Sequence, residues 1–198
     1  TQHSVARLRE VGIHPDIIVC RSRAPLSDEM RDKLSLFCDV EEEAVIESLD
    51  VDHIYEIPLV WEQGGVGDLI AKRLYLMDPK VDTPDMKDWR RVVGVLKRPE
   101  HVVEVALVGK YTELRDAYMS VAEALKHGGV ENDAHVNIRW VESADLDTRP
   151  AEDLLKGVDG VVVPGGFGER GVEGKLAAVR YARENGIPYL GLCYGLQM

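Results

Sequence analysis

Residues 187–198 read IPYLGLCYGLQM: a proline-containing apolar run, then a cysteine with a glycine two positions away on each side, then residues able to start a helix. The run IPYLGL has the length and apolar content of a short buried strand, and Tyr194 to Met198 can begin a helix, so Cys193 falls at the sharp corner between them. A strand-to-helix corner exposes its central side chain at the carboxyl edge of a sheet, and glycines two residues before and after relieve the crowding such a corner creates. This reading requires a parallel α/β sheet upstream.

The preceding hundred or so residues supply one. VVEVALVGKY is a first strand, RDAYMSVAEALKHGG a helix expected to end at Gly128 and Gly129, and AHVNIRWV an alternating strand. PAEDLLKGV is a short helix, DGVVVPGGFG an apolar strand running into a glycine loop, and VEGKLAAVRYARENG a helix leading into the last strand. Strand and helix alternate with short joins, which favours parallel pairing.

A second α/β unit lies at the N-terminal end. SVARLREVG is helical with Gly12 as its stop, and PDIIVC is a strand. SDEMRDKLSLFC is a helix capped by Ser27, with Asp28 and Glu29 where the helix dipole favours negative charge. A short strand around Val45 and Ile46, a helical turn broken at Pro58 and an amphipathic helix from about Gly67 to Leu76 follow. MDPKVDTPD and the isolated helical stretch MKDWRRVVGVLKRPE read as a linker. The expected division is residues 1–77, a linker at 78–101, and residues 102–198. No internal repeat or low-complexity segment is present.

Composition narrows the classes. With 45% hydrophobic and 30% charged residues the 198-residue chain has the make-up of a soluble globular protein, and no apolar run approaches the roughly 18 residues of a membrane span. The expected location is the cytoplasm. Net charge −11, with 35 acidic against 24 basic residues, argues against a nucleic-acid surface. A salt-rich cytoplasm and an ordinarily acidic enzyme both account for that excess. Cys20 and Cys38 each end an apolar run and read as small buried hydrophobes, and the three cysteines have neither zinc-ligand nor disulfide spacing.

The chemistry therefore concentrates at Cys193 and at PGGFGERG, one helix upstream. A cysteine at a helix start lies in a field that favours thiolate, the attacking form. The glycine loop leaves backbone N–H groups free to meet a developing oxyanion, and the N–H of Tyr194 offers a second donor. Glycine loops also cradle phosphates. Paired with the corner cysteine, this one favours acyl transfer.

PGGFGERGVEGK followed by ENGIPYLGLCYGLQM resembles the class I (triad) glutamine amidotransferases. Together with VALVGKYTELRDAYMSVAEALKHGG, it resembles their version in the CTP synthase family. TQHSVARLREVGIHPDIIVCRS and CDVEEEAVIESLDVDHIYEIP resemble the end of that family's synthetase domain, so the likeness covers essentially the whole chain. It implies two parallel-sheet three-layer α/β units, the second a flavodoxin-like half-domain of the amidotransferase type.

Residue roles follow from the resemblance. Cys193 would attack the side-chain amide of glutamine, giving a glutamyl thioester and ammonia. Gly165 and Gly166 match the oxyanion loop, and Tyr194, Gly195, Leu196 and Gln197 match the stretch lining the glutamine pocket. Phe167 lies in the loop that responds to the activator GTP. Thr1, Gln2 and Lys33 match positions binding UTP or the feedback inhibitor CTP, and Leu49, Asp50 and Val51 match a segment contacting the adenine of ATP. By spacing alone, Lys33 is equally a solvated helix charge, Asp50 a turn residue and Gln2 a surface side chain. The implied reaction is ATP-dependent amination of UTP to CTP, with magnesium on the nucleotide phosphates, in a homotetramer with no nucleic-acid or membrane partner.

The family commonly has Leu where Tyr194 stands, which leaves the backbone donor intact. The triad His and Glu are expected after Met198, and the phosphate loop and magnesium ligands before Thr1, leaving no metal ligands in this stretch. The six histidines include no convincing base for Cys193, since His101, His127 and His135 all lie upstream of it. The chain is thus expected to be an internal segment of a longer enzyme, inactive alone. Other readings are the amidotransferase of a different synthetase, a related peptidase, and a non-catalytic nucleotide-binding or filament-forming paralogue.

Overall fold

The computed structural model describes residues 1–76, 85–166, 168 and 170–198. It divides into two compact units, Thr1–Val93 and Gly94–Met198, and the division falls inside the 78–101 segment read as a linker. Residues 77–84, all but the first of them in that segment, lie outside the described residues. No helix among the described residues is long and apolar enough to cross a membrane.

In the first unit, helix α1 (Gln2–Glu10) ends just before Gly12, whose φ of 83° is open to glycine at no steric cost. Strand β1 (Ile18–Ser22), helix α2 (Asp28–Cys38) and strand β2 (Val45–Leu49) form a parallel two-stranded unit, with Ile18 opposite Val45 and Ser22 opposite Leu49. Ser27 caps α2 as expected, its hydroxyl accepting from the Met30 N–H at 3.3 Å. Val5, Ile18, Cys20, Cys38 and Val45 form the core, so Cys20 and Cys38 are packed as small hydrophobes.

Pro58 does not break a helix. It occupies the first turn of α3 (Ile57–Gln63), where the missing N–H would have had no intrahelical acceptor. Helix α4 (Val66–Arg73) follows. The stretch read as an isolated linker helix forms α5 (Lys87–Lys97), whose first half docks on the first unit. The Trp89 indole N–H donates to the Tyr55 carbonyl at 2.7 Å, the two rings lie 6.0 Å apart, and Arg90 pairs with Glu62 at 3.3 Å.

The second unit is built on β3 (His101–Gly109), α6 (Met119–Glu131), β4 (Ala134–Glu142), α7 (Ala151–Leu155), β5 (Gly160–Val163), α8 (Val172–Glu184), β6 (Tyr189–Gly191) and α9 (Tyr194–Gln197). Its four strands are all parallel, in the order β4-β3-β5-β6. Ala106, Leu107 and Val108 are successive and all fully buried, as are Val161, Val162 and Val163 to within 4%, so the central strands are covered on both faces. Helix α8 contributes Ala178 and Ala182 to the core, with Val108, Val141, Leu155 and Val163.

Helix α6 runs through Gly128 and Gly129 instead of stopping there. The reason for Gly129 is close packing on β4: a Cβ there would meet the Ala134 carbonyl oxygen at 2.6 Å and Val136 Cγ2 at 2.9 Å. Replacing Gly129 with Ala should therefore destabilise the protein by about 2 kcal/mol despite the better helix propensity of Ala, read as a lower denaturant midpoint at unchanged slope. Gly128→Ala, with open space around its Cβ, should be neutral or slightly stabilising.

Candidate active site

The sheet order places β3 beside β5 although β4 intervenes in sequence, so the direction in which successive strands are added reverses there. Loops leaving the carboxyl ends of strands at such a switch point form a crevice. The loops after β3, β5 and β6 carry Lys110, Gly165–Gly168 and Cys193.

Cys193 has φ 52° and ψ −111°, a conformation far from the allowed regions for a residue with a Cβ. Its side chain is exposed, and the thiol is free. Neighbouring backbone overdetermines the corner. The Leu192 N–H donates to the Val163 carbonyl at 2.9 Å, Gly195 N–H to Leu192 at 3.0 Å, and the Tyr189 hydroxyl to the Gly195 carbonyl at 2.5 Å. Burial pushes the Tyr189 phenol up, which keeps it protonated as that donor. A Cβ on Gly191 would lie 2.4 Å from the Gly195 carbonyl oxygen, and one on Gly195 only 2.0 Å from that of Val163. Both positions admit only glycine at this backbone geometry.

The glycine loop lies against the corner. A Cβ on Gly165 would meet Cys193 Cβ at 3.4 Å and Sγ at 3.8 Å. Gly166 has φ 150°, which L side chains rarely adopt. The structure thus brings together Gly165, Gly166, Cys193, Tyr194 and Gly195. Leu196 and Gln197 lie on the following turn and are exposed, and Phe167 lies outside the described residues. As the first residue of α9, Tyr194 has an N–H without an intrahelical acceptor.

Several residues that sequence reasoning passed over hold this loop. The Lys110 ammonium, 4% exposed, donates to the Gly168 carbonyl at 2.7 Å. Arg170 donates to the Lys110 carbonyl at 2.6 Å and lies 3.4 Å from Glu142, which also accepts from the Thr112 hydroxyl at 2.8 Å. Tyr118 accepts the Lys110 N–H at 2.9 Å. Gly171 and Gly174 let the start of α8 approach the turn after β4: Cβ atoms there would meet Ser143 Oγ at 2.2 Å and the Ser143 carbonyl oxygen at 1.8 Å. Lys175, fully buried, lies with its Nζ 5.8 Å from the centre of the Tyr194 ring. The available signal was a lysine sharing a helical face with Ala178 and Ala182, three and seven residues on.

In the first unit, Thr1, Gln2 and Lys33 line one cavity of about 510 Å³ with Arg21, Leu26 and Met30. Leu49, Asp50 and Val51 line another of about 530 Å³ with Arg21, Ser48 and Ile54. Asp50 accepts from Arg21 Nε at 2.7 Å. No group of three or more His, Cys, Asp or Glu side chains among the described residues is placed to ligate a metal.

A strained cysteine corner at the carboxyl edge of a parallel sheet, backed by a glycine loop, presents a thiol as a nucleophile is presented, and residues 113–198 match the family model described as Glutamine amidotransferase class-I. Residues 1–76 match the model described as CTP synthase N-terminus. The CTP synthase of Caldanaerobacter subterraneus subsp. tengcongensis is 56% identical over 197 residues, spanning 100% of this chain and 36% of that protein. The CTP synthase of Pyrococcus furiosus is 52% identical over 198 residues, with the same coverage. A solved structure, the glutaminase domain of Trypanosoma brucei CTPS with bound acivicin, matches at 42% identity and TM-score 0.44, covering 48% of this chain and 38% of that one. The chain belongs to the CTP synthase family and spans 36% of the length of the curated relatives named here.

Lys175 yields a stability prediction. Burial first, and the nearby Lys110 charge second, lower its pKa from the ordinary 10.5. Between the lowered value and 10.5 the unfolded chain binds the proton more readily than the native one, so native stability rises with pH across that window. Below the window both states are charged and the penalty is complete. Lys175→Met should raise the melting temperature at neutral pH and flatten the alkaline rise, as read by melts across a pH series.

Proposed function

We propose that Cys193 is the nucleophile of a glutaminase whose ammonia serves the ATP-dependent amination of UTP to CTP. The observation that carries this reading is the exposed, strained Cys193 with Gly165 packed on it at the carboxyl edge of the sheet. The thiol attacks the side-chain amide carbonyl of glutamine. The carbonyl π pair moves onto oxygen, where in this reading the N–H groups of Gly166 and Tyr194 would meet it. Return of that pair expels nitrogen, which leaves as ammonia with the thiol proton, and water then releases glutamate from the thioester. Strain held in the ground state by Gly191 and Gly195 keeps the thiol presented, so little reorganisation is needed at attack.

The synthetase reaction belongs to the first unit in this reading. UTP, or CTP as feedback inhibitor, takes the cavity of Thr1, Gln2 and Lys33, and the adenine of ATP takes that of Leu49, Asp50 and Val51. ATP phosphorylates the uracil 4-oxygen, and ammonia displaces phosphate. Magnesium on the nucleotide phosphates, GTP activation through the loop at Phe167, a cytoplasmic location and a homotetramer complete the proposal. Support comes from the unbroken likeness of the whole chain to relatives named CTP synthase.

Cys193→Ala in the full-length enzyme tests the reading. CTP formation with glutamine as nitrogen donor should fall at least a thousandfold, while formation with ammonia should stay within about twofold of wild type. Equal activity of the variant with both donors would make the cysteine corner structural.

A further inference from the structure

Lys175 carries its ammonium into a fully buried position, and among the described residues that group has no hydrogen-bond partner. It projects from the apolar face of α8 that Ala178 and Ala182 extend, both fully buried. Its Nζ lies 3.6 Å from where a Cβ on Gly166 would stand and 5.8 Å from the centre of the Tyr194 ring. Gly166 and Tyr194 are the two residues whose backbone N–H groups face the developing oxyanion in the reading above. The ammonium therefore lies behind the Gly166 backbone and beside the Tyr194 ring.

The fold gains nothing evident from a charge at this point. An isolated buried cation costs several kcal/mol, and an apolar side chain of the same length fills the space without that cost. The Tyr194 ring face offsets a part of it. The charged group that acts on Lys175 is Lys110, whose like charge adds to the cost. Lys110 is itself committed to the Gly168 carbonyl, whereas Lys175 is not. Among the described residues no anionic group pairs with Lys175, and a compensating negative charge arises when the amide carbonyl becomes an oxyanion.

We propose that Lys175 is a positioning residue of the glutaminase step, its buried ammonium maintaining positive potential behind the Gly166 backbone and the Tyr194 ring where the tetrahedral oxyanion develops. The inference rests on the glutaminase reading of Cys193. The neutral amide of bound glutamine feels this potential far less than the oxyanion does, so the benefit appears in kcat and not in KM. Among the described residues no fixed acceptor meets the ammonium, and an anionic partner would cancel the potential. Lys175 touches no substrate atom and takes no proton in the step.

The test uses the full-length enzyme with Lys175→Met and Lys175→Gln, compared with wild type for glutamine hydrolysis, for CTP formation from ammonia in the same preparations, and for alkylation of Cys193 by iodoacetamide. Expected is a fall in glutaminase kcat of tenfold or more relative to the ammonia rate, with KM for glutamine within twofold, in both variants. Alkylation, which develops no carbonyl oxyanion, should keep its wild-type rate within twofold. Unchanged glutaminase kcat would overturn the proposal. So would equal losses in all three measurements, which mark a packing role, or full activity in Lys175→Gln with loss in Lys175→Met, which marks shape or hydrogen bonding instead of charge. Failure of the underlying reading looks different: Cys193→Ala would then keep its glutamine-dependent activity.

Discussion

The second unit depends on holding one residue with a side chain where the backbone disfavours it. Cys193 at φ 52° and ψ −111° turns the chain from β6 into α9. Such a corner costs on the order of 1–3 kcal/mol and persists only when its surroundings leave no alternative. Here those surroundings are backbone atoms. The Val163 carbonyl receives Leu192, and the Gly191 and Gly195 sites are too tight for any Cβ. Because Val163 ends β5 and Gly191 ends β6, paired directly across the sheet, the corner is as rigid as the sheet itself.

The same edge gathers the rest of the site. Lys110 leaves the end of β3 to hold Gly168, while Arg170 returns from the loop to the Lys110 carbonyl and Glu142. The described residues of the glycine loop are thus tied to the ends of β3 and β4. Close approach of α8 to the Ser143 turn, possible only because Gly171 and Gly174 lack a Cβ, sets the depth at which Lys175 enters. Burying a charged group in this way costs stability.

Much of this was legible from residue order. GLCYG announces the corner because the glycine spacing is the local steric requirement of the turn itself. Ser27 and Gly12 announced helix ends for equally local reasons. The misread positions were those whose reason is distant. Gly128 and Gly129 look like a helix stop, yet Gly129 answers to Ala134 and Val136 on β4. Pro58 looks like a break, yet a proline in a first turn is an ordinary helix start. The helix at Lys87–Lys97 looks isolated until Trp89 finds the Tyr55 carbonyl.

Residue order by itself determined the parallel α/β class, the corner cysteine, its glycine loop and, through motif resemblance, the family. Those features are written in short-range periodicity and in backbone requirements that span five residues or fewer. Only the tertiary structure decided which polar groups became buried, and against what. Lys175 and Lys110 read as ordinary lysines in VEGK and VGKY. Their surroundings arise from strands brought side by side out of sequence order, so both the cost of burying their charges and the field they impose on the site exist only in the folded chain.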